Sequence, residues 1–570
     1  MATIIKKIKK GRPYYYAVVS KRVDGKPRIV WQKYLGTVDS LLLHAKRNKP
    51  PKPKETVIFE AGGVSALLGI AQRLELLELI NAVIPKRQQG ATVGHYMLLA
   101  ALNRALDPCS KLAIGDWYES TVLRRLWKFP KSVFSSQRFW DHMDMLNEKS
   151  IETIQEKLIS RIKSVFGFNS HLLLYDTTNF FTFLATTNNR ANLPQRGHSK
   201  AKRNDLRQVG LALLVTRDFQ IPLLHHVYQG NIPDISLFPQ LSKDLISRYR
   251  KISNDYKEAT LVFDRGNTSD EIMEQIVVSP IHFISALAAT RLPDILSTPL
   301  KQFKNVQGMP GSQSFSTIVN IWDKKCKVVV VYTESFFTQQ LQGVTANLVK
   351  CQKKLLELEK RLNKWHKGYG RGKRPTVKGV HKSVERILSA QFMKNLFCIN
   401  IDEQNEIPRL HYKVEHTKLQ QLTDNRLGRT LLVTDWVNWP NEEIVKSYRN
   451  LSSIENVFKN MKNINFLHWQ PAYHWTDQKI RVHGFYCVTA LLLATLAGKV
   501  AVEHGINLPL PKLLKELSDI KETAIIYPKG TLAHRKDYIT LSRMSPRQRK
   551  LAECLEIGKI LLMGNTQSSV

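Results

Sequence analysis

Apolar residues recur along this chain in three rhythms. Between residues 60 and 165 they cluster, as in Val64-Ser65-Ala66-Leu67-Leu68-Gly69-Ile70 and Met97-Leu98-Leu99-Ala100-Ala101-Leu102, and predict a helical region. Further on, Leu341, Val344, Leu348, Cys351, Leu355, Leu358 and Leu362 repeat at spacings of three and four, the signature of one apolar helix face. Val384, Leu388 and Phe392 continue as a second helix. Between the two, Trp365-His366-Lys367-Gly368-Tyr369-Gly370-Arg371-Gly372-Lys373-Arg374 interrupts the pattern with glycines and cations. A helical hairpin with a flexible basic tip is expected there, set into a larger domain. The third rhythm is a short, continuous apolar run that stops on an acid, the pattern of a buried strand.

Two such runs stand out. His171-Leu172-Leu173-Leu174-Tyr175-Asp176 places a carboxylate inside a β-type stretch, and Thr260-Leu261-Val262-Phe263-Asp264-Arg265-Gly266 delivers another at a strand's end. A carboxylate buried there is costly unless hydrogen-bonded, paired or bound to a cation. Oxygen ligands of this kind suit Mg²⁺ or Mn²⁺. A third acid, Glu455, falls in a helical pattern over residues 441–463, whose stripe is Ile454, Val457, Phe458 and Met461. At about 100° per residue, Glu455 lies roughly a third of a turn from the stripe's centre. Tyr448 and Lys462 each stand seven residues from Glu455, so the three form one nearly straight row. Plainer readings exist for each acid: Asp176 as a strand-end partner of an arginine, Asp264 as an Asx-turn starter, Glu455 as a solvated helix residue. Asp435, after Leu431-Leu432-Val433-Thr434, rivals all three.

Charge narrows the chemistry. The 570 residues carry a formal net charge of +37, with 43% hydrophobic residues and ample aromatics for a core, so this is not a disordered polycation. Residues 1–55 hold 15 basic and 3 acidic side chains and residues 350–386 hold 13 and 3, which together is +22 of the +37. The first window, with Tyr14-Tyr15-Tyr16-Ala17-Val18-Val19 and Arg28-Ile29-Val30-Trp31, reads as a small β unit with a basic face, closed by a Pro/Lys linker. A polyanionic partner is implied, nucleic acid before membrane, because no apolar face matches the basic windows. The six cysteines form no CxxC pair, which argues against zinc ribbons and disulfides and for a reducing cytoplasm. No signal peptide is expected, and the apolar stretch 485–497 is short for a bilayer span.

The segments around Asp176, Asp264 and residues 448–483 resemble insertion-sequence transposases of the DDE class, in the insertion-sequence-four-like group. That group carries a helix signature Tyr-x2-Arg-x3-Glu-x6-Lys, and Tyr448, Glu455 and Lys462 stand at its spacings. Leu451 occupies the arginine's place, while Arg449 sits two positions earlier, about 160° round the helix. Pro471-Ala472-Tyr473-His474-Trp475 with Ile480-Arg481-Val482-His483 is similar to the stretch after the signature in one subgroup. Gly197-His198-Ser199-Lys200-Ala201-Lys202-Arg203-Asn204-Asp205, then Gln208 and Gly230-Asn231, is similar to its region between the first two acids. The resemblance covers roughly residues 60–500.

The resemblance implies an α/β fold: a ribonuclease H-like mixed-sheet catalytic domain with an inserted helical subdomain, preceded by the basic β unit and the helical region. Asp176 would lie on its first strand, Asp264 on its fourth and Glu455 on a helix after the insertion. The expected segments are 1–55 (basic β module), 56–168 (helical, DNA-end binding), 169–335 (first catalytic part), 336–400 (inserted hairpin), 401–500 (second catalytic part) and 501–570 (oligomerisation or DNA contact). Asp176, Asp264 and Glu455 would hold two Mg²⁺ per site, Mn²⁺ substituting, and carry out phosphoryl transfer without a covalent intermediate. Water attack would free the element's 3′ ends, which then attack target DNA. Asp435 becomes a supporting residue. Tyr448 and Lys462 are expected to contact phosphates, as are Lys200, Lys202, Arg203, Arg371, Lys373 and Arg374. Terminal inverted repeats and target DNA are the implied partners, with a homodimer holding two ends. A ribonuclease H-like nuclease without strand transfer, or a non-catalytic DNA-binding derivative, are the alternatives.

Overall fold

The computed structural model describes residues 2–47, 52–85, 90–185, 187–197, 203, 205–232, 247–248, 259–267, 270–279, 281–404, 406–470, 472–527 and 538–563. Two compact units divide the chain: Met1–Ile70 with Ser110–Arg138 and Val500–Val570, and Ala71–Cys109 with Phe139–Lys499. The expected helical region 56–168 is therefore shared between them.

In the first unit, β1 (Ala2–Lys9), β2 (Arg12–Val23) and β3 (Lys26–Gly36) form an antiparallel sheet in that order. Two-residue turns join them, Lys10-Gly11 and Asp24-Gly25, with φ of 47°, 75°, 50° and 75°. Positive φ at both central positions matches the right-handed twist of the flanking strands, which is why a glycine closes each turn. Helix Val38–Arg47 packs on β2 and β3. β4 (Glu55–Glu60) belongs to a second small sheet completed from the C-terminal region.

The second unit is a mixed α/β structure around one large sheet. Its strands are β5 (Leu172–Thr182), β6 (Arg207–Thr216), β7 (Pro222–Gln229), β8 (Thr260–Phe263), β9 (His282–Leu287), β10 (Lys304–Asn305), β11 (Ser312–Ile321), β12 (Lys324–Thr333) and, after a long excursion holding β13 (Phe397–Gln404) and β14 (Ile407–Val414), β15 (Arg429–Thr434). The order across the sheet is β10-β11-β12-β15-β9-β8-β5-β6-β7. β8 runs parallel to β5 and to β9, and every other neighbouring pair is antiparallel. Leu172–Tyr175 and all of β8 are buried, as continuous apolar runs flanked on both sides must be.

The excursion between β12 and β15 has its own core. Helix Glu334–His366 contributes Val344, Cys351, Leu355, Leu358 and Leu362, and helix Val377–Ile387 adds Val380 and Val384. The same core takes in Leu396, Phe397, Leu410 and Leu427. The β13–β14 hairpin therefore packs with the inserted helices and not with the large sheet, so the excursion extends past residue 400. Its tip is folded back on itself: the Tyr369 amide donates to the Lys364 carbonyl at 2.9 Å, and a Cβ on Gly370 would overlap the Trp365 ring.

Helix Asp477–Glu503, 27 residues, is long and apolar enough to cross a membrane, which the stretch 485–497 read alone is not. Its most apolar window is 89% buried within the protein, as befits a core helix. Beyond it, β16 (Lys521–Ile526) pairs with β4 and with β17 (Tyr538–Leu541), so the C-terminal residues complete the first unit's second sheet.

Candidate active site

The parallel register of β5 and β8 aligns Leu172 with Thr260 and Tyr175 with Phe263. The next residues are Asp176 and Asp264. Both strands run the same way about 4.8 Å apart, so Asp264, just past the end of β8, stands beside Asp176, midway along β5. Asp176 is half-buried and Asp264 exposed. The Thr177 amide donates to Asp176 Oδ1 at 2.8 Å.

Above this pair runs the Tyr448–Glu455–Lys462 row, on two short helices, Asn441–Arg449 and Leu451–Met461. Asn450 between them keeps right-handed helical angles, φ −62° and ψ −17°, so the row is only lightly interrupted. Serines explain the interruption: Ser452 donates to the Arg449 carbonyl at 2.9 Å and Ser453 to that of Asn450 at 2.6 Å, competing with the helical ladder. The second helix packs on β5. It buries Leu451, Ile454, Val457, Phe458 and Met461, the anticipated stripe with Leu451 added.

Both ends of the row are tied to the acids' strands. The Tyr448 hydroxyl donates to Asp264 Oδ1 at 3.1 Å, and Lys462 Nζ donates to Thr178 Oγ1 at 2.9 Å. Thr178 is two residues beyond Asp176 and shares its face of β5. Lys462 also sits 5.3 Å from the centre of the Phe180 ring, which stacks on Trp469 at 4.5 Å and 12°. Burial, and then the Asp264 charge, push the Tyr448 phenol well above its usual range, so it stays a donor. From Tyr448 to Lys462 the row spans about 21 Å of helix. With two long side chains reaching inward from its ends, it brackets the acid pair. Glu455, exposed, lies at its midpoint.

The donor set is all oxygen and suits a hard divalent cation. Among the described residues no three His, Cys, Asp or Glu side chains gather closely enough to hold a metal ion. The β5–β8 register sets Asp176 beside Asp264 along the sheet, and among the described residues the two do not join Glu455 in a three-acid cluster. Carboxylates are the oxygen donors a hard divalent cation takes, and the expected set of three acids is not assembled among the described residues.

No family model and no curated protein matches the chain. Among solved structures it is similar to a piggyBac transposase synaptic complex with hairpin DNA, at 11% identity over 80% of this chain and 79% of that one, with a TM-score of 0.36.

Asp435 is neither a rival ligand nor a support for the pair. Its carboxylate is buried, accepting from the Phe283 amide at 3.0 Å and Lys324 Nζ at 2.9 Å, and lies 2.9 Å from His282 Nδ1. These partners mark the amino end of β9, and Trp436 Nε1 donates to Thr260 Oγ1 at the amino end of β8. Asp435 therefore closes the opposite end of the sheet from Asp264. Arg449 donates to Ser312 Oγ at 2.8 Å and Thr333 Oγ1 at 3.0 Å, away from the Glu455 row, while Leu451 is 8% exposed. Arg449 therefore does not take the signature arginine's place.

Of the remaining basic candidates, Lys200 and Lys202 lie outside the described residues. Arg203 is exposed and forms a two-pronged pair with Asp205, both contacts at 2.8 Å. Arg371, Lys373 and Arg374 are exposed at the hairpin tip, Arg374 pairing with Glu406 at 3.1 Å. The Gln208 and Gly230 matches have a packing cause: Gln208 Nε2 donates to the Gly230 carbonyl at 2.9 Å, and a Cβ on Gly230 would stand 1.9 Å from the Gln208 oxygen. Thr178, Phe180 and Trp469 escaped the sequence reading. Alternation from Asp176 would have singled out Thr178. Phe183, Tyr473 and Trp475 are exposed near the end of β5, where the Phe183 amide donates to the Ala472 carbonyl at 3.2 Å.

Proposed function

We propose that the chain is a DNA transposase of the DDE type, cutting DNA strands and joining the freed 3′-hydroxyls to target DNA. The observation that carries this reading is the position of Asp264 beside Asp176, beneath a helix row whose ends reach Asp264 and Thr178. Asp176, Asp264 and Glu455 would hold Mg²⁺, which when bound supplies charge stabilisation at the scissile phosphate. Tyr448 holds one oxygen of Asp264 in place. Lys462, a compact cation beside the pair, suits a flanking phosphate. Glu455, midway along the row between Tyr448 and Lys462, would complete the set when cation and DNA bind. The exposed rings of Phe183, Tyr473 and Trp475 offer stacking surfaces for unpaired bases beside the cut. The five strands β5–β9, with the first acid on the first and the second on the fourth, support a ribonuclease H-like core. The net charge of +37 supports a substrate with many phosphates, the two element ends and target that a homodimer would hold.

The test uses a plasmid carrying the gene with its genomic flanks, incubated with Mg²⁺ or Mn²⁺. Asp176→Asn, Asp264→Asn and Glu455→Gln should each lower strand cleavage by at least about a thousandfold while leaving DNA affinity within about twofold. Cleavage that survives all three substitutions sinks the reading. Cleavage without joining of pre-cut ends would leave a nuclease on the same fold.

A further inference from the structure

The N-terminal sheet has two unlike faces. The register sets Ile4, Lys6 and Ile8 of β1 beside Ala17, Tyr15 and Pro13 of β2. It then sets Ala17, Val19 and Lys21 beside Lys33, Trp31 and Arg28 of β3. Alternate residues share a face, and the bulge at Val30 keeps Arg28 level with Trp31, opposite Lys21 and Val19, so these form one surface. The other surface carries Tyr14, Tyr16, Val18 and Tyr34, with Val18 only 3% and Tyr34 54% exposed and the Tyr16 and Tyr34 rings 5.2 Å apart, and is the more aromatic side. On the first surface Ile4, Ile8 and Trp31 are 60%, 67% and 48% exposed. Lys6, Lys21, Arg28 and Lys33 are exposed among them. No acid shares that surface. The first 36 residues hold ten basic side chains and one acidic, Asp24, which sits in a turn.

We propose that this surface docks in the major groove of duplex DNA. Two neighbouring strands about 4.8 Å apart make a ribbon of the kind that the major groove, about 12 Å wide, admits. Lys6, Lys21, Arg28 and Lys33 meet phosphates, and Trp31 and Ile4 lie against base edges and thymine methyls, as strands do in sheet-type readers. The charge selects the occupant. A second copy of the same face would bring like charges together, and the cations are interspersed with the apolar groups and not segregated from them, as a membrane-surface face requires. The inference rests on the proposed function only in taking duplex DNA as the polyanion.

The full-length protein is titrated with salt against a random-sequence duplex of about 40 base pairs, long enough for several turns of groove. Replacing Lys6, Arg28 and Lys33 together by Gln should flatten the slope of log affinity against log salt by about 2.7, which is about 0.9 per lost phosphate contact. Lys7→Gln, on the opposite face, should change it little. Acetylation of the unsubstituted protein gives a readout free of folding effects: the duplex should protect Lys6, Lys21 and Lys33 and spare Lys7. An unchanged slope with no protection overturns the docking face but leaves the transposase reading standing. Protection by anionic lipid vesicles and not by the duplex also overturns it. An unsubstituted protein with no salt slope at all would instead defeat the proposed function.

Discussion

Tyr448→Phe isolates one hydrogen bond at the centre of the site. The substitution keeps the ring and its packing and deletes only the hydroxyl that donates to Asp264 Oδ1 at 3.1 Å. A hydrogen bond to a charged group contributes about 1.5–3 kcal/mol where water cannot replace it. Asp264 is exposed, so water compensates in part and the lower end applies. About 1.5 kcal/mol is about a tenfold loss of rate, if Asp264 must be held to react. Single-turnover nicking of the flank-bearing plasmid reads this directly. Affinity for the same DNA should change by less than about twofold, because the lost contact is within the protein. The phenol is pushed above its usual range, so it remains protonated at every working pH. Rate–pH profiles of the variant and its parent should therefore run parallel from about pH 6 to 9. A variant cutting at the parent's rate, or profiles that diverge in that window, would refute the role given to Tyr448.

Asp435→Asn should leave strand cleavage intact when the protein is folded, but lower stability by about 2–3 kcal/mol, since it removes the charge between His282 and Lys324. Denaturant unfolding beside a cleavage assay checks both halves. Acid should destabilise the chain through two histidines. Burial, with smaller contributions from Arg248 and His226, lowers His225 from 6.5 to about 3, and burial lowers His95 to about 4. Arg248 donates to Gln155 Oε1 at 2.8 Å, which turns the Gln155 amide nitrogen toward His225 Nδ1 and requires that nitrogen to accept. Both folded values are depressed, so the contribution is complete above about pH 6.5 and is lost as pH falls toward 4 and 3. At pH 5 each residue costs about 2 kcal/mol. The unfolding midpoint should drop between pH 7 and 5, and drop less in His225→Gln.

Much of the site can be read without coordinates, because its cues are local. An apolar run ending on an acid marks β5 and β8, and a three-four stripe marks the face by which the Glu455 helix packs. The Asp-Gly and Lys-Gly turns of the N-terminal sheet are equally local. What escapes is non-local. Asp435 follows an apolar run much like the others, yet antiparallel pairing of β15 with β9 turns it to the far end of the sheet. No pattern within the run records its direction. The extent of the inserted region depends on which core Phe397 and Leu410 join, and their alternation suits a strand in either. Leu451 in the arginine's place looks like a missing contact in the sequence, but on the helix it is one more residue of the packing stripe.

β15 sits between β12 and β9, yet some 95 residues separate the end of β12 from its start. During synthesis the ribosome must therefore deliver every strand from β5 to β12, and then the whole excursion, before the gap can be filled. Only then does the chain make the helices that carry Tyr448, Glu455 and Lys462. A growing polypeptide holds its two aspartates early and the rest of the candidate site late. Under the proposed function, translation itself acts as a safety catch.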